Sequence, residues 1–122
     1  MKMDNDLIRN IMLAIENCPD VPPNVLRIES FLDYCDSPAI VSLHIELLHE
    51  AGFIECHRLQ RNDKIKGWEI DRLTFAGYEY LDTIRNARVW RNVKDKIAAV
   101  GGATFDVIKA VAIDEIKREL NV

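Results

Sequence analysis

Four cations, Arg58, Arg61, Lys64 and Lys66, fall within nine residues, and Trp68 follows close behind. Cations so spaced on a short hairpin can contact phosphates by charge and hydrogen bonding without reading base identity. A second basic run, Arg85, Arg88, Arg91, Lys94 and Lys96, is interrupted only by Asp95. On a helix it offers Arg88 and Arg91 as further phosphate contacts. The same charges also suit solvent, since cations on a hairpin edge discourage strand-to-strand aggregation and charged helical faces are common. Both readings stay open at the level of sequence.

Other chemistry finds fewer partners. His44 falls on the inward side of a helical pattern, where a histidine most often donates a ring N–H to a backbone carbonyl. Asp33 and Asp36 are near it in sequence, yet no Ser or Cys nucleophile motif, glycine-rich phosphate loop or H-E-x-x-H accompanies them. No enzyme activity and no cofactor are expected. His44 and His49 are five apart, which splits them across a helix, so no metal site is expected from them with His57 and Cys56. Cys18, Cys35 and Cys56 are odd in number and lack a C-x-x-C pair, which points to reduced thiols rather than a disulfide framework.

Charge is unevenly placed. The net charge is -4, but residues 1 to 56 carry ten acidic and three basic side chains, and residues 57 to 96 carry six acidic and ten basic. An acidic chain is a poor bulk polyanion binder, although a local basic stripe can still track a phosphate backbone. A length of 122 residues suits one core that buries about two-thirds of the unfolded surface. No apolar stretch approaches the roughly 18 residues of a membrane span, and the opening Met1-Lys2-Met3-Asp4-Asn5-Asp6 is too acidic for a signal peptide. A cytoplasmic protein without membrane contact is the expectation.

The elements that position these residues are legible in outline. A helix capped by Asp4 or Asp6 carries Leu7, Ile8, Ile11, Met12 and Ile15 as its stripe and ends near Asn17. Pro19, Pro22 and Pro23 make Cys18 to Asn24 an irregular connection. Val25 to Ile28 opens as a short strand before a helical turn or two from Glu29 to Tyr34. Ser37 and Pro38 start a helix to Ala51, with Ile40, Val41, His44, Leu47, Leu48 and Ala51 inward and Gly52 as its stop. Strands follow at Phe53 to Leu59 and Gly67 to Leu73, joined by the turn Arg61-Asn62-Asp63-Lys64. Thr74 caps a helix to Asn86 with Tyr78, Leu81 and Ile84 or Arg85 on one side. Val89 to Val100 forms the next helix, with Val89, Trp90, Val93, Ile97 and Val100 apolar. After Gly101-Gly102, Thr104 to Leu120 is apolar over more than half its circumference, which asks for cover on two sides and suggests a homodimer through this helix.

The run His44, Leu48, Glu50, Ala51, Gly52, Phe53, Ile54 resembles the recognition helix and following turn of winged helix-turn-helix proteins. A longer set resembles a phage- and prophage-associated domain family of unknown function: Asp6-Leu7-Ile8-Arg9, His44, Leu47-Leu48, Ala51-Gly52, Leu73-Thr74, Gly77, Leu81-Asp82, Trp90 and Gly101-Gly102. The resemblance implies an α+β, mainly helical fold, a winged helix-turn-helix core at 1–86 with a two- or three-stranded wing. A C-terminal helical extension at 87–122 would pack on it within a single structural domain. It supplies no catalytic residues. The recognition surface would then be Ala39, Ser42, Leu43 and Glu46, with Pro38 in front. Only Ser42 suits a major groove, no Lys or Arg lies between Pro38 and His57, and Leu43 suits a protein surface better. The expected partner is double-stranded DNA held mainly through the wing; the alternative is a protein partner for the acidic helix and the C-terminal helix.

Overall fold

The structure is a computed structural model that describes residues 2–18, 26–61 and 64–121, with the side chains at 60, 61 and 64–66 outside the description. The described residues form α1 (Asn5–Glu16), β1 (Leu26–Arg27), a 3-10 turn (Ile28–Phe31), α2 (Pro38–Glu50), β2 (Ile54–Arg61), β3 (Lys64–Leu73), α3 (Phe75–Ile84), α4 (Ala87–Ala99) and α5 (Phe105–Leu120). The chain is thus α+β and mainly helical, with an antiparallel three-stranded sheet in the order β1-β3-β2. It divides into two compact units at Tyr78/Glu79, inside α3.

In the first unit, α1 packs on β3 and α2. Asp4 caps α1 by accepting from the N–H groups of Asp6 (2.9 Å) and Leu7 (3.2 Å). The expected stripe Leu7, Ile8, Ile11, Met12 and Ile15 is buried, together with Phe31, Val41, Ile45, Leu48, Ile70 and Leu73. His44 is fully buried between the two helices. Its Nδ1 lies 2.7 Å from the Ile40 carbonyl and its Nε2 accepts from the Asp4 backbone N–H at 2.8 Å. Carbonyl on one side and N–H on the other fix the neutral Nδ1–H tautomer. His44 therefore satisfies a backbone donor at the cap of α1, the core role expected of it.

Ser37 Oγ accepts from the Ile40 N–H (3.4 Å) and Pro38 opens α2, where a missing N–H costs nothing. At the other end Gly52 N–H bonds the His49 carbonyl and Phe53 N–H the Leu48 carbonyl, both at 3.0 Å, with Gly52 at φ 78°. That pair of bonds closes a helix by the Schellman arrangement, which needs a left-handed residue. Phe53 is consequently not in β2, contrary to expectation. Its carbonyl accepts from the Thr74 N–H at 2.9 Å. Thr74 Oγ1 donates to the Gly52 carbonyl (2.5 Å) and accepts from the Gly77 N–H (3.1 Å), so one hydroxyl joins the end of α2 to the start of α3. A Cβ on Gly77 would overlap the Phe53 carbonyl oxygen.

Several boundaries move. The inward face of α2 is Val41, His44, Ile45 and Leu48, whereas Leu47 is half-buried and Ala51 exposed. The hairpin strands extend to Arg61 and from Lys64, so the turn shortens to 62–63, which lies outside the described residues. Residues 19–25, most of the expected connection and the expected strand start Val25, also lie outside them. α3 stops at Ile84 instead of Asn86, because the Asn86 side chain caps α4 by accepting from Arg88 N–H (2.9 Å) and Val89 N–H (3.1 Å). Tyr80 is buried on α3 where Tyr78 was expected, and Val100 is exposed as the C-cap of α4.

In the second unit, α4 buries Val89, Trp90, Val93 and Ile97, and α5 buries Ile108, Ala112 and Glu115. Tyr80 meets Phe105 edge-on, 5.2 Å between ring centres, and burial pushes its phenol pKa up. Gly101 (φ 84°) and Gly102 repeat the Schellman closure, their N–H groups bonding the Ala98 and Ile97 carbonyls at 3.2 and 3.1 Å. Glu115, 5% exposed, takes Lys96 Nζ, Asn92 Nδ2 (3.4 Å) and Arg118 Nη1 (3.4 Å). The hydrogen bond from Lys96 holds the Glu115 carboxyl below the usual carboxylate range, against burial, which pulls it up.

Gly77→Ala should lower the urea midpoint by an amount equivalent to about 3 kcal/mol, the upper end for overpacking, since the clash is with backbone. Glu115 makes stability acid-sensitive: a depressed carboxylate stabilises the fold above its unfolded pKa and loses that contribution as pH falls through the folded value. Glu115→Gln is therefore expected to melt lower than the parent at pH 7, and the two melting temperatures should converge by about pH 3 in a pH series.

Candidate nucleic-acid interface

The hairpin and α2 are joined by their polar side chains. Ser42, Glu46 and His49 recur at helical spacing on one side of α2, and each meets Trp68 or Arg58. Trp68, 4% exposed, donates its Nε1–H to Ser42 Oγ at 3.1 Å and lies 5.9 Å from the His49 ring at 47°. Arg58 stacks over Trp68, 5.0 Å from the ring centre, and donates from Nη2 to Glu46 Oε1 at 3.1 Å. A tryptophan N–H has one donor to place, and Ser42 takes it.

The four expected recognition positions thus divide. Ala39 is exposed, Leu43 is half-buried instead of exposed, Ser42 has its hydroxyl engaged, and Glu46 has its charge matched. Sequence periodicity placed these residues on one helical face correctly. It could not show that the hairpin folds back onto part of that face, because the pairing spans 12 residues in one case and 26 in the other.

On the sheet, charges pair across strands. Arg27 meets Glu69 at 3.8 Å, and Arg72 grips both oxygens of Glu55 at 3.1 and 2.8 Å while also bonding the Leu73 carbonyl at 3.0 Å. His57 lies between Glu69 (3.6 Å from Nε2) and Asp71 (3.5 Å from Nδ1). Opposite ring nitrogens face the two carboxylates, so the three groups do not converge on one point. Burial, then Asp71, push the Cys56 thiol up to about 11, with Arg58 opposing. Such a thiol stays protonated and unreactive near neutral pH.

Arg61 and Lys64 are register partners at the last described rung before the turn. Lys66 is the residue skipped between the rungs Leu59↔Gly67 and Gln60↔Ile65, so β3 bulges there. In the second basic run most cations have acidic or aromatic neighbours. Arg85 bonds Asp82 at 2.7 Å, Arg88 reaches Glu119 at 3.6 Å, Lys96 holds Glu115, and Lys94 lies 6.0 Å from the Trp90 ring centre. Arg91 is exposed and, with Arg88, borders an open cleft of about 570 Å³ whose apolar lining includes Val89, Ile116 and Leu120. None of the described residues forms a helix long and apolar enough to cross a membrane.

An α+β chain of five α-helices and one antiparallel three-stranded sheet is what the described residues define. The chain belongs to the family described as "Hypothetical protein (DUF2513)", which it matches over residues 2–104, up to the cap of α5. It is also similar to an uncharacterised protein of Haemophilus influenzae (strain ATCC 51907 / DSM 11121 / KW20 / Rd), 37% identical over 114 residues that cover 92% of each chain. No solved structure matches it.

The indole bond to α2 is open to a direct check. Ser42→Ala and Trp68→Phe in a double-mutant cycle should show a coupling of about 1 kcal/mol in chemical unfolding. Strictly additive losses would show that the 3.1 Å contact contributes nothing.

Proposed function

We propose that this chain is a winged-helix protein, from a phage or prophage setting, that binds double-stranded DNA through the tip of its β2–β3 hairpin and acts as a small regulator. In this reading α2 is the helix that other members of the fold insert into the major groove, and the hairpin is the wing. One observation carries it: the polar groups on the outward side of α2 are taken by Trp68 and Arg58, while Arg61, Lys64 and Lys66 flank the hairpin turn. The sheet arginines whose side chains are described, Arg27, Arg58 and Arg72, each face a carboxylate. Positive charge is therefore concentrated at the tip, which keeps a net +2 after Asp63 is counted. Like charges at opposite register positions repel, and a phosphate between them removes the repulsion.

Such a contact gives affinity without base identity. The front of α2, with Ala39 exposed and no cation in reach, adds little direct readout. Regulation would then rest on DNA shape or on a second contact. Arg88 and Arg91 supply a smaller basic patch on α4, with Arg88 already shared by Glu119.

A second reading, a protein-interaction module without DNA binding, draws on α5. Val107, Ile113 and Leu120 are exposed there, and Leu120 borders the cleft with Ile116. Exposed apolar groups on one helix support a protein contact, including a homodimer through α5.

The two readings part on salt. In a titration of a labelled 20-base-pair duplex, affinity should fall steeply as salt rises from about 50 mM to about 200 mM. Replacing Arg61, Lys64 and Lys66 by alanine should flatten the log–log slope by about 2 to 3, roughly 0.9 per lost phosphate contact. Absence of binding at about 50 mM salt ends the DNA reading and leaves the protein-interaction one.

A further inference from the structure

Arg58 is held differently from its neighbours. Arg72 has a two-oxygen grip on Glu55 and a third bond to the Leu73 carbonyl. Arg58 has a single 3.1 Å bond to one oxygen of Glu46, and its guanidinium lies against the Trp68 ring. Carboxylate and phosphate present a guanidinium with the same kind of anionic oxygen edge. We infer that Glu46 is an internal stand-in for phosphate, which occupies Arg58 in the unbound protein and gives it up to a nucleic-acid phosphate. The inference rests on the DNA reading above.

Three observations support displacement over a permanent bridge. Both partners are open to water, with side chains 46% and 39% exposed, and exposed ion pairs of this kind are weak enough for a polyanion to outcompete. The ring beneath Arg58 is anchored separately, since Trp68 is buried and bonded to Ser42, so releasing Glu46 does not release the hairpin. Arg58 also lies on β2, the strand that runs to Arg61 and the basic tip. Glu46 thereby sets the number of cations the hairpin can offer, and its position on α2 makes the helix a restraint on binding.

The test uses the full chain and the same 20-base-pair duplex across about 50 to 200 mM potassium chloride. Glu46→Gln is expected to bind about fivefold more tightly at about 100 mM salt. Its log–log slope should steepen by about 0.9, one added phosphate contact. Arg58→Gln should change wild-type affinity by less than about twofold, and Glu46→Gln with Arg58→Gln should return to the wild-type slope. Two results overturn the inference while leaving the DNA reading intact: a wild type that binds with Glu46→Gln unchanged in slope, or a gain that survives in the double variant and so owes nothing to Arg58. A wild type that does not bind at about 50 mM salt removes the DNA reading and this inference together. Thermal melts of all four proteins, expected within about 4 °C of one another, separate a binding effect from a folding one.

Discussion

The carbonyl of Phe53 is the point through which the first unit is tied together. It accepts from the Thr74 N–H at 2.9 Å and leaves no room for a side chain on Gly77. Because Phe53 N–H closes α2 onto Leu48, one residue ends a helix, anchors the base of the hairpin and seats the first turn of α3. Thr74 adds the same linkage through its hydroxyl, from Gly52 to Gly77. A backbone carbonyl cannot relax as a flexible side chain can, so the direction in which β2 leaves α2 is fixed by covalent geometry and two glycines.

Once that direction is fixed, the hairpin runs back beside α2. Trp68 then reaches Ser42, and Arg58 reaches Glu46. The consequence for chemistry is a division of labour. Helix positions that would otherwise face a groove become hairpin contacts, and the cations nearest the helix are neutralised by its acids. Charge left over is carried by residues 61, 64 and 66 near the turn. The acidity of residues 1 to 56 thus has a local use in Glu46 and Glu55, which pair with Arg58 and Arg72 from the basic stretch.

Local signals in the sequence were sufficient for the caps. Asp4, Ser37, Asn86 and Thr104 each accept from backbone N–H groups at the start of a helix, and Gly52 and Gly101 end two others at positive φ. Three of those caps were recognisable from residue type and spacing. Asn86 was missed because the periodicity of α3 runs through it, and only the closure of α4 decides that its side chain turns forward. Glu115 was missed for a related reason. A glutamate in an apolar run reads as a solvent position, and its burial depends on Lys96, Asn92 and Arg118 arriving from α4 and α5 together. Ile45 and Leu47 exchanged roles because an inward face about 100° wide is shifted by one residue when a second element covers its flank.

By itself the sequence determined the order and type of the elements, the buried stripe of α1, the core role of His44 and the two runs of positive charge. These depend on periodicity and on side chains bonding backbone within a few residues. The tertiary structure alone decided which cations have carboxylate partners, that Ser42 is occupied by Trp68, and that Leu43 is half-buried. The physical reason is range. A cap or a glycine stop is closed within about five residues, whereas an ion pair between α2 and β2 exists only after the Phe53 corner has set the angle between them.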